Sequence, residues 1–427
     1  MKKVLSVLIV IFTFIAAVSF SIAESSETLM SGDFEYCLSP DGTAIITKYN
    51  GEKKNLVIPS TLDGYSVKSI GDSVFKSKAL LQAVIIEDGI ENIGDHAFER
   101  CSGLYRIVIP GSVKSIGNQA FYSCLRLSSK ITDTDENIGT ASDLKKQKEK
   151  LETAKTQLER WIAGGKKSEA DIQKQREKIA KETKKLEEME SVLAETQGED
   201  FIIPAGTGLL PDKLEHIGDY AFLGCSSLTQ IKIPDSITSI GKAPFAFCDD
   251  QILIISPKHP TLALKDGAFF SKPDKRLISY KGDAKKYEIP QGILSIDDYA
   301  FIYLYSLDEI VIPDSVISIG ANAFSSLRIT EITIPDSVTS IGDEAFFECT
   351  LLKSVTLGKN VTSIGKQAFS HCDNLSEMTI PDSVSSIGEY AFPEKIVLII
   401  MPDSVAETYC KENNIQYKYQ ESDMDWL

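Results

Sequence analysis

The chain has 427 residues, of which 61 are acidic and 45 are basic, so its formal charge is −16 at neutral pH. An acidic surface of this kind repels phosphate backbones, and we therefore exclude nucleic-acid binding. The eight cysteines and four histidines show neither Cys-x-x-Cys nor His-Glu-x-x-His spacing. The sequence thus predicts no metal and no other cofactor.

Residues 1 to 23 have the composition of a cleavable signal peptide. Lys2 and Lys3 precede an apolar run at residues 4 to 18, and the small residues Ser21 and Ala23 follow it. A retained transmembrane anchor is the alternative, but the run is short and no charged stop follows. We therefore predict a protein that is secreted or held at the extracellular surface, with no integral membrane span after cleavage near Ala23.

Residues 24 to 55 precede the first repeat. Within them, the segment that begins at residue 34 has an Asp-Gly turn between two alternating runs, a pattern typical of a β-hairpin. We predict that these residues form an N-terminal cap, because an end rung without a cap would expose its core and its sheet edge.

Ten copies of a short motif follow, in each of which an isoleucine precedes a phenylalanine by five residues. The period is 23 residues, or 22 once, wherever nothing interrupts it. A period in this range indicates a stacked solenoid, in which each rung buries its apolar face against its neighbours. The isoleucine and phenylalanine pairs are Ile70 and Phe75, Ile93 and Phe98, Ile116 and Phe121, Ile217 and Phe222, Ile240 and Phe245, Ile296 and Phe301, Ile319 and Phe324, Ile341 and Phe346, Ile364 and Phe369, and Ile387 and Phe392.

One copy, at residues 375 to 392, shows how a rung is built. Leu375, Met378 and Ile380 alternate with polar residues, which indicates a short strand. The proline that follows ends the strand because it has no ladder donor, and the next Asp-Ser pair favours a turn. Stacked in register, these strands should form one long parallel sheet with neighbours roughly 4.8 Å apart.

Three segments resemble the type-5, BspA-like subclass of bacterial leucine-rich repeats. They are LTQIKIPDSITSIGKAPF at 228 to 245, ITEITIPDSVTSIGDEAF at 329 to 346 and LSEMTIPDSVSSIGEYAF at 375 to 392. The resemblance extends over roughly residues 34 to 128 and 201 to 420. It implies a secreted or surface-displayed protein with a role in adhesion and host interaction, but no common ligand.

Six cysteines occupy one phase of the repeat, which predicts buried thiols that stack along the solenoid and act as small apolar side chains. Disulfides between neighbouring rungs are the alternative. Cys37 and Cys410 lie in the terminal regions. The six are Cys101, Cys124, Cys225, Cys248, Cys349 and Cys372.

The first repeat block, residues 56 to 139, gives way to an insertion at 140 to 199. Lys130 and Thr132 replace the apolar residues of earlier rungs, although Ile138-Gly139 still keeps the phase. The insertion is rich in Lys, Glu, Gln and Ala. Its leucines and isoleucines recur every seven residues on either side of a Gly-Gly pair, which predicts an antiparallel coiled-coil hairpin of two helices. The recurring residues are Leu144, Leu151, Leu158, Ile172, Ile179, Leu186 and Leu193.

Two interpretations of this hairpin remain open. It is either an arm for self-association or partner binding, with Trp161 near its tip as a contact residue, or a solvated pair of helices whose apolar seam is buried between the two helices themselves.

The fold class predicted for the whole chain is mainly β: a leucine-rich-repeat solenoid with a parallel sheet, interrupted by this hairpin.

The second repeat block covers residues 200 to 402. It contains a departure at 256 to 287, where strand-like runs flank a turn-prone segment at 272 to 275, and we predict a β-hairpin there. Residues 403 to 427 form the predicted C-terminal cap and tail. In the cap, Val405–Asn413 suits a short helix and residues 415 to 419 suit a last strand.

Catalytic motifs are missing from the sequence, so we predict that the protein is not an enzyme. The four histidines are scattered, and there is no Gly-x-Ser-x-Gly elbow. Five aspartates do share one phase, but their place after proline is explained by a turn. They are Asp235, Asp314, Asp336, Asp382 and Asp403.

The outward positions of the repeat strand are the predicted ligand-binding residues, because solenoids present columns of side chains there. We expect a non-catalytic binding or adhesion module for proteins or glycans on host or neighbouring cells. The alternative is a structural envelope component that assembles through the helical arm. The predicted positions are Tyr105, Arg106, Val108, Thr229, Gln230, Lys232, Asp308, Glu309, Val311, Glu331, Thr333, Lys353, Thr356, Glu377 and Thr379.

Overall fold

The computed structural model describes residues 27–128, 141–164, 168–195, 209–248, 252–302 and 304–420. This part of the chain contains 29 β-strands and three α-helices. The strands before residue 255 are β1 (Leu29–Ser31), β2 (Phe34–Leu38), β3 (Ala44–Tyr49), β4 (Asn55–Ile58), β5 (Thr61–Leu62), β6 (Tyr65–Ile70), β7 (Ala83–Ile86), β8 (Asn92–Ile93), β9 (Arg106–Val108), β10 (Ser115–Ile116), β11 (His216–Ile217), β12 (Gln230–Lys232), β13 (Ser239–Ile240) and β14 (Ile252–Ile254).

The later strands are β15 (Leu262–Lys265), β16 (Ala268–Ser271), β17 (Arg276–Tyr280), β18 (Lys286–Glu288), β19 (Ser295–Ile296), β20 (Glu309–Val311), β21 (Ser318–Ile319), β22 (Glu331–Thr333), β23 (Ser340–Ile341), β24 (Ser354–Thr356), β25 (Ser363–Ile364), β26 (Glu377–Thr379), β27 (Ser386–Ile387), β28 (Val397–Ile400) and β29 (Gln416–Tyr419). The helices are α1 (Ala141–Gly164), α2 (Glu169–Glu195) and α3 (Val405–Asn413).

Each regular rung contributes two short strands, which belong to different sheets. One is a two-residue strand, usually Ser-Ile, and these pair in parallel from rung to rung to form what we call the serine ladder. It runs through β6-β8-β10-β11-β13 and, after an interruption, through β17-β19-β21-β23-β25-β27. The solenoid with parallel sheets predicted from the repeat is thereby confirmed.

The other strand of each rung is the Leu-x-x-Ile segment, and its outward side is called the strand face below. These strands form five separate sheets, β4-β7-β9, β12-β14, β18-β20, β22-β24 and β26-β28-β29. The expectation that they form one long sheet is therefore wrong. The helical insertion separates β9 from β12, and the segment around β15 to β17 separates β14 from β18.

A column of phenylalanine rings runs through the core. All ten repeat phenylalanines are at most 5% exposed, and consecutive rings within each half of the solenoid lie 4.8 to 6.0 Å apart in stacked geometry. Each such pair adds about 0.5–1.5 kcal/mol beyond the burial of its area. Nine of the ten paired isoleucines are also buried, and Ile387 in the last rung is half-buried.

The solenoid continues across the helical insertion without losing a rung. Ile116 pairs with Ile217 in the serine ladder, and the rings of Phe121 and Phe222 are 5.1 Å apart. No rung fits between them. The helical insertion therefore lies within a single rung, and the rungs on either side of it stack directly on each other. Ile138-Gly139, which keep the repeat phase in the sequence, lie outside the described residues.

The insertion itself consists of the two long helices α1 and α2. Lys150 Nζ lies 3.6 Å from Glu182 Oε1, and Gln175 Nε2 donates to Ala154 O at 3.2 Å. Contacts therefore run in opposite directions along the two helices, which are antiparallel as predicted. Leu151, Ala154 and Gln175 are buried between them. In the part that the structure describes, no helix has the length and apolarity needed to cross a membrane. The predicted signal peptide lies outside that part.

The segment predicted to form a β-hairpin contains three antiparallel strands, β15, β16 and β17. It separates two hydrophobic cores. Phe269 and Ile278 pack into the core of the preceding rungs, whereas Phe270 and Leu277 pack into the core of the following rungs. We call this three-stranded sheet the partition, because it is apolar on both sides and divides the solenoid into two halves.

The cysteines are all free and buried. Each of the six that share a repeat phase donates its thiol hydrogen to the carbonyl of the phenylalanine one rung earlier, at 3.0 to 3.3 Å. The expected stack of buried thiols is therefore present. These contacts tie consecutive rungs together inside the core.

Candidate binding surface

The most regular exposed surface is the part of the strand face formed by β18, β20, β22, β24 and β26, which we call the C-terminal strand face. In each of these three-residue strands the first and last residues are exposed and the middle one is buried. This alternation follows from the pleat, which sends successive side chains to opposite sides. The middle residue anchors the strand in the core and leaves two side chains per rung for contact with a partner.

Parallel pairing in register aligns these side chains within each of the sheets β18-β20, β22-β24 and β26-β28-β29, which follow one another along the solenoid and together present two columns. Glu331 lies opposite Ser354, and Thr333 lies opposite Thr356. In the rungs before them, Lys286 lies opposite Glu309. Neighbouring strands are about 4.8 Å apart, so a ligand with a similar repeat can contact equivalent atoms on several rungs.

Charges in the first column are partly compensated. Lys286 Nζ lies 2.8 Å from Glu309 and 3.2 Å from Glu288. These two carboxylates raise the pKa of Lys286, mainly through the hydrogen bond to Glu309. Further along the column, Glu331 and Glu377 are exposed. The column thus changes from a neutral to an acidic character toward the C-terminus.

The structure places most of the predicted ligand-binding residues on the solvent side. The exposed ones are Gln230, Lys232, Asp308, Glu309, Val311, Glu331, Thr333, Lys353, Thr356, Glu377 and Thr379. Tyr105, Arg106 and Thr229 are half-buried. Their role in binding stays a prediction.

Val108 is a correction. The repeat predicts that it points outward, but the side chain is only 8% exposed. It is the last residue of β9, whose burial pattern differs from that of the later strands on this face. Just before β9, Ser128 N donates to Tyr105 O at 3.1 Å. The strand face is therefore less open at β9 than in β18 to β26, where the last residue of each strand is exposed.

Two surface residues were missed by the sequence analysis. Lys286 and Glu288 belong to a repeat strand, β18, whereas the sequence placed Lys286 at the end of the predicted β-hairpin at 256 to 287 and gave Glu288 no role. The sequence does contain the repeat pattern here, because Tyr287 and Ile289 alternate with charged residues before Pro290, as in other rungs. The pattern was not recognised because tyrosine stands where the other rungs have an aliphatic residue.

Trp161, the predicted contact residue of the arm, is half-buried on α1. The next residue, Ile162, is 52% exposed. Trp161 continues the spacing of Leu151, Ala154 and Leu158, which are the residues of α1 that face α2 or are partly covered. The exposed apolar side chain at this end of the arm is therefore Ile162.

The aspartates that follow proline act in turns. Asp336 Oδ1 accepts a hydrogen bond from the backbone amide of Lys359 at 2.9 Å, one rung later. This bond, together with the Lys359 side chain, lowers the pKa of Asp336. Among the described residues, no group of three histidine, cysteine, aspartate or glutamate side chains is arranged to hold a metal ion.

Comparison with known proteins agrees with this architecture. The profile of the BspA type leucine-rich repeat region matches six copies, at residues 52–143, 208–276 and 274–398. No curated protein matches significantly. Neither the profile nor the solved structures indicate an enzyme family.

Two solved structures share the fold. A leucine-rich repeat protein from Eubacterium ventriosum has 19% identity and a TM-score of 0.53, with 88% of this chain and 87% of that chain covered. The pneumococcal vaccine antigen PcpA has 16% identity and a TM-score of 0.54, with 94% and 100% covered. The repeat profile covers more than half of the residues, and the chain belongs to the BspA-type leucine-rich repeat family.

Proposed function

We propose that the protein is a secreted or cell-surface binding module that recognises proteins or glycans on host or neighbouring cells. Recognition takes place on the strand face and involves no catalysis. Export is supported by the lysines, apolar run and small residues at the N-terminus.

The observation that supports the proposal most is the pair of aligned columns on the C-terminal strand face. Five strands each expose two side chains and bury one. Rigid backbone spacing means that little conformational entropy is lost when a ligand binds along the columns, because the side chains sit on a fixed scaffold. Extended repetitive surfaces of this kind are how solenoids bind.

A matched pair of variants tests the proposal. The first replaces Glu331, Thr333, Glu377 and Thr379 by alanine. The control replaces Thr339, Thr362, Ser385 and Ser386 by alanine; these four are exposed residues in or beside the serine ladder of the same two rungs and of the rung between them. Both variants remove four exposed side chains and leave the core unchanged.

The readout is binding of labelled protein to animal cells and to bacterial cells. We expect the strand-face variant to bind at least about tenfold more weakly than the natural protein, and the control to bind normally. Equal binding by both variants, or a loss confined to the control, would move recognition to another surface.

A structural envelope component that assembles through the helical arm is the second candidate. The exposed Ile162 beside Trp161 favours it, since an apolar side chain at the end of an arm is suited to a contact with another molecule. Sedimentation with and without residues 140 to 197 separates the two candidates. Assembly through the arm is supported if the deletion reduces an oligomer to a monomer, and binding is supported if the deletion leaves the mass per particle unchanged.

A further inference from the structure

The strand face has an uncovered edge at each end of the solenoid. Within the described residues, β4 pairs only with β7, and β29 pairs only with β28. The N-terminal hairpin β2-β3 continues the serine ladder through β6 and does not pair with β4. Helix α3 contacts β27, β28 and β29 at the other end. The caps therefore cover the core but leave two strand edges open.

Backbone groups on these edges point away from the solenoid. Lys54 O and Ile58 O accept hydrogen bonds from the next rung, so by alternation the peptide groups of Asn55 and Val57 face the opposite side. Gln420 N donates to Ile400 O at 2.9 Å, which by the same rule turns the peptide groups of Tyr417 and Tyr419 outward. Unpaired rows of this kind are templates for the addition of a strand.

The edge of β4 lies in a groove of about 630 Å³. Leu56 and Val57 form one wall, and Asp33 and Glu87 bring two carboxylates to the lining, against the single lysine Lys53. On β29 the exposed charged side chain is Lys418. The two edges are thus of opposite charge character.

The two ends also match in length. β4 and β29 each have four residues and pair over four positions, whereas the strands between β9 and β26 on this face have three residues each. Both edges belong to parallel ladders, so a strand added in parallel would continue the order that the rungs already follow.

We propose that the chain associates head to tail, with β29 of one copy adding as a parallel strand to the open edge of β4 in the next copy. Such an interface is heterologous and does not close, so it produces chains of increasing length rather than a dimer of fixed size. The contact is small, so association is weak and depends on concentration. This proposal does not rest on the ligand-binding function.

Val57→Pro tests the edge directly. It removes the outward amide hydrogen and places a pyrrolidine ring on the open side, while the groups that pair with β7 stay in place. Val57→Thr is the control, because it keeps the amide hydrogen and the branched side chain. Sedimentation equilibrium over a range of concentrations measures the average mass, and circular dichroism shows that each variant is folded.

We expect the average mass of the natural protein and of Val57→Thr to rise steadily with concentration, and association of Val57→Pro to weaken roughly tenfold or more. Lys418→Glu and Asp33→Lys should each weaken association, and their combination should restore it. A natural protein that stays monomeric, or a folded Val57→Pro that assembles normally, overturns the proposal. If deletion of residues 140 to 197 abolishes assembly, the helical arm forms the contact and the proposal is wrong.

Discussion

Arg276 and Asp297 form a buried ion pair at the boundary between the two halves of the solenoid. Arg276 Nη1 lies 2.7 Å from Asp297 Oδ2, and the side chains are 12% and 2% exposed. Arg276 Nη2 also donates to Ile240 O at 2.6 Å, and Asp297 accepts a hydrogen bond from the Ala243 amide at 3.2 Å. Asp297 occupies the place after isoleucine where most rungs carry glycine. The pair therefore connects the partition, the rung before it and the rung after it.

We predict that, at about pH 8 where Asp297 is ionised, Arg276→Ala destabilises the protein by about 3–5 kcal/mol, because it leaves the Asp297 carboxylate buried without its cation. The control is Lys359→Ala. Lys359 forms a 3.0 Å pair with Asp336, but both side chains are more than half exposed, so the loss should be at most about 1 kcal/mol. Urea denaturation measures both values. Equal effects would mean that the junction is not held by this pair.

The same carboxylate should make stability depend on pH. Burial is the largest influence on Asp297 and raises its pKa from 3.8 to about 7, although Arg276 and the Ala243 amide act in the opposite direction. The folded state then binds a proton that the unfolded state has released, so this contribution is complete below the unfolded pKa of 3.8. It is lost as the pH rises toward about 7.

Asp297→Asn cannot titrate and should abolish this dependence. We expect the natural protein to lose more thermal stability than Asp297→Asn when the pH is raised from about 5 to about 8. Thermal unfolding at the two pH values measures the difference. If the two proteins change in parallel, the carboxyl group does not retain its proton in the folded state.

The repeat phase could be predicted from sequence because it depends on one periodic requirement. Each rung must bury an isoleucine and a phenylalanine against the same residues of its neighbours, so Ile93 and Phe98 recur at a fixed distance. The buried ion pair at Asp297 could not be predicted in this way. Asp297 is tolerated because its rung packs against the partition and not against a regular rung. The sequence of one rung does not show which kind of element packs against it.

The candidate surface was predicted residue by residue, but its continuity was not. Alternation identifies Glu331 and Thr333 as outward positions. It does not say which rungs pair in a ladder, because pairing depends on insertions far away in the chain. Val108 was misplaced because alternation alone marks it as outward, whereas it is buried in this structure. Lys286 was missed because tyrosine replaces the expected isoleucine in its strand.

The spacing of the rungs should favour glycine at the position directly after each Ser-Ile strand, wherever one regular rung packs on another. A Cβ atom on Gly365 would lie 2.5 Å from the backbone nitrogen of Asp343 and 2.5 Å from the carbonyl carbon of Gly342. Gly365→Ala should therefore cost about 1–3 kcal/mol through overpacking. At Gly111 a Cβ atom meets nothing within 4 Å, and Gly111→Ala should be neutral or stabilising by up to about 1 kcal/mol. The denaturation midpoints of the two variants, compared with that of the natural protein, measure both effects. If Gly365→Ala leaves the midpoint unchanged, the rungs have room to move apart and the prediction is wrong.

The cysteines should remain thiols that react only after unfolding. All eight are free and buried, and burial raises the pKa of Cys101 to about 12, so almost no thiolate is available. A thiol-specific reagent should label almost no residue in the folded protein and eight after denaturation without reductant. Cys101→Ala should lower the second count by one. A peptide in which Cys101 is disulfide-linked to Cys124 would contradict this prediction.

Recognition through the strand face is the central claim, and chemical footprinting of the protein bound to target cells tests it most directly. Hydroxyl-radical labelling, read by mass spectrometry, reports which side chains a ligand covers. We predict reduced labelling of β18, β20, β22, β24 and β26, with the exposed side chains of the serine ladder labelled as in the free protein. Protection of the serine ladder or of the helical arm, with the strand face labelled normally, would contradict the account.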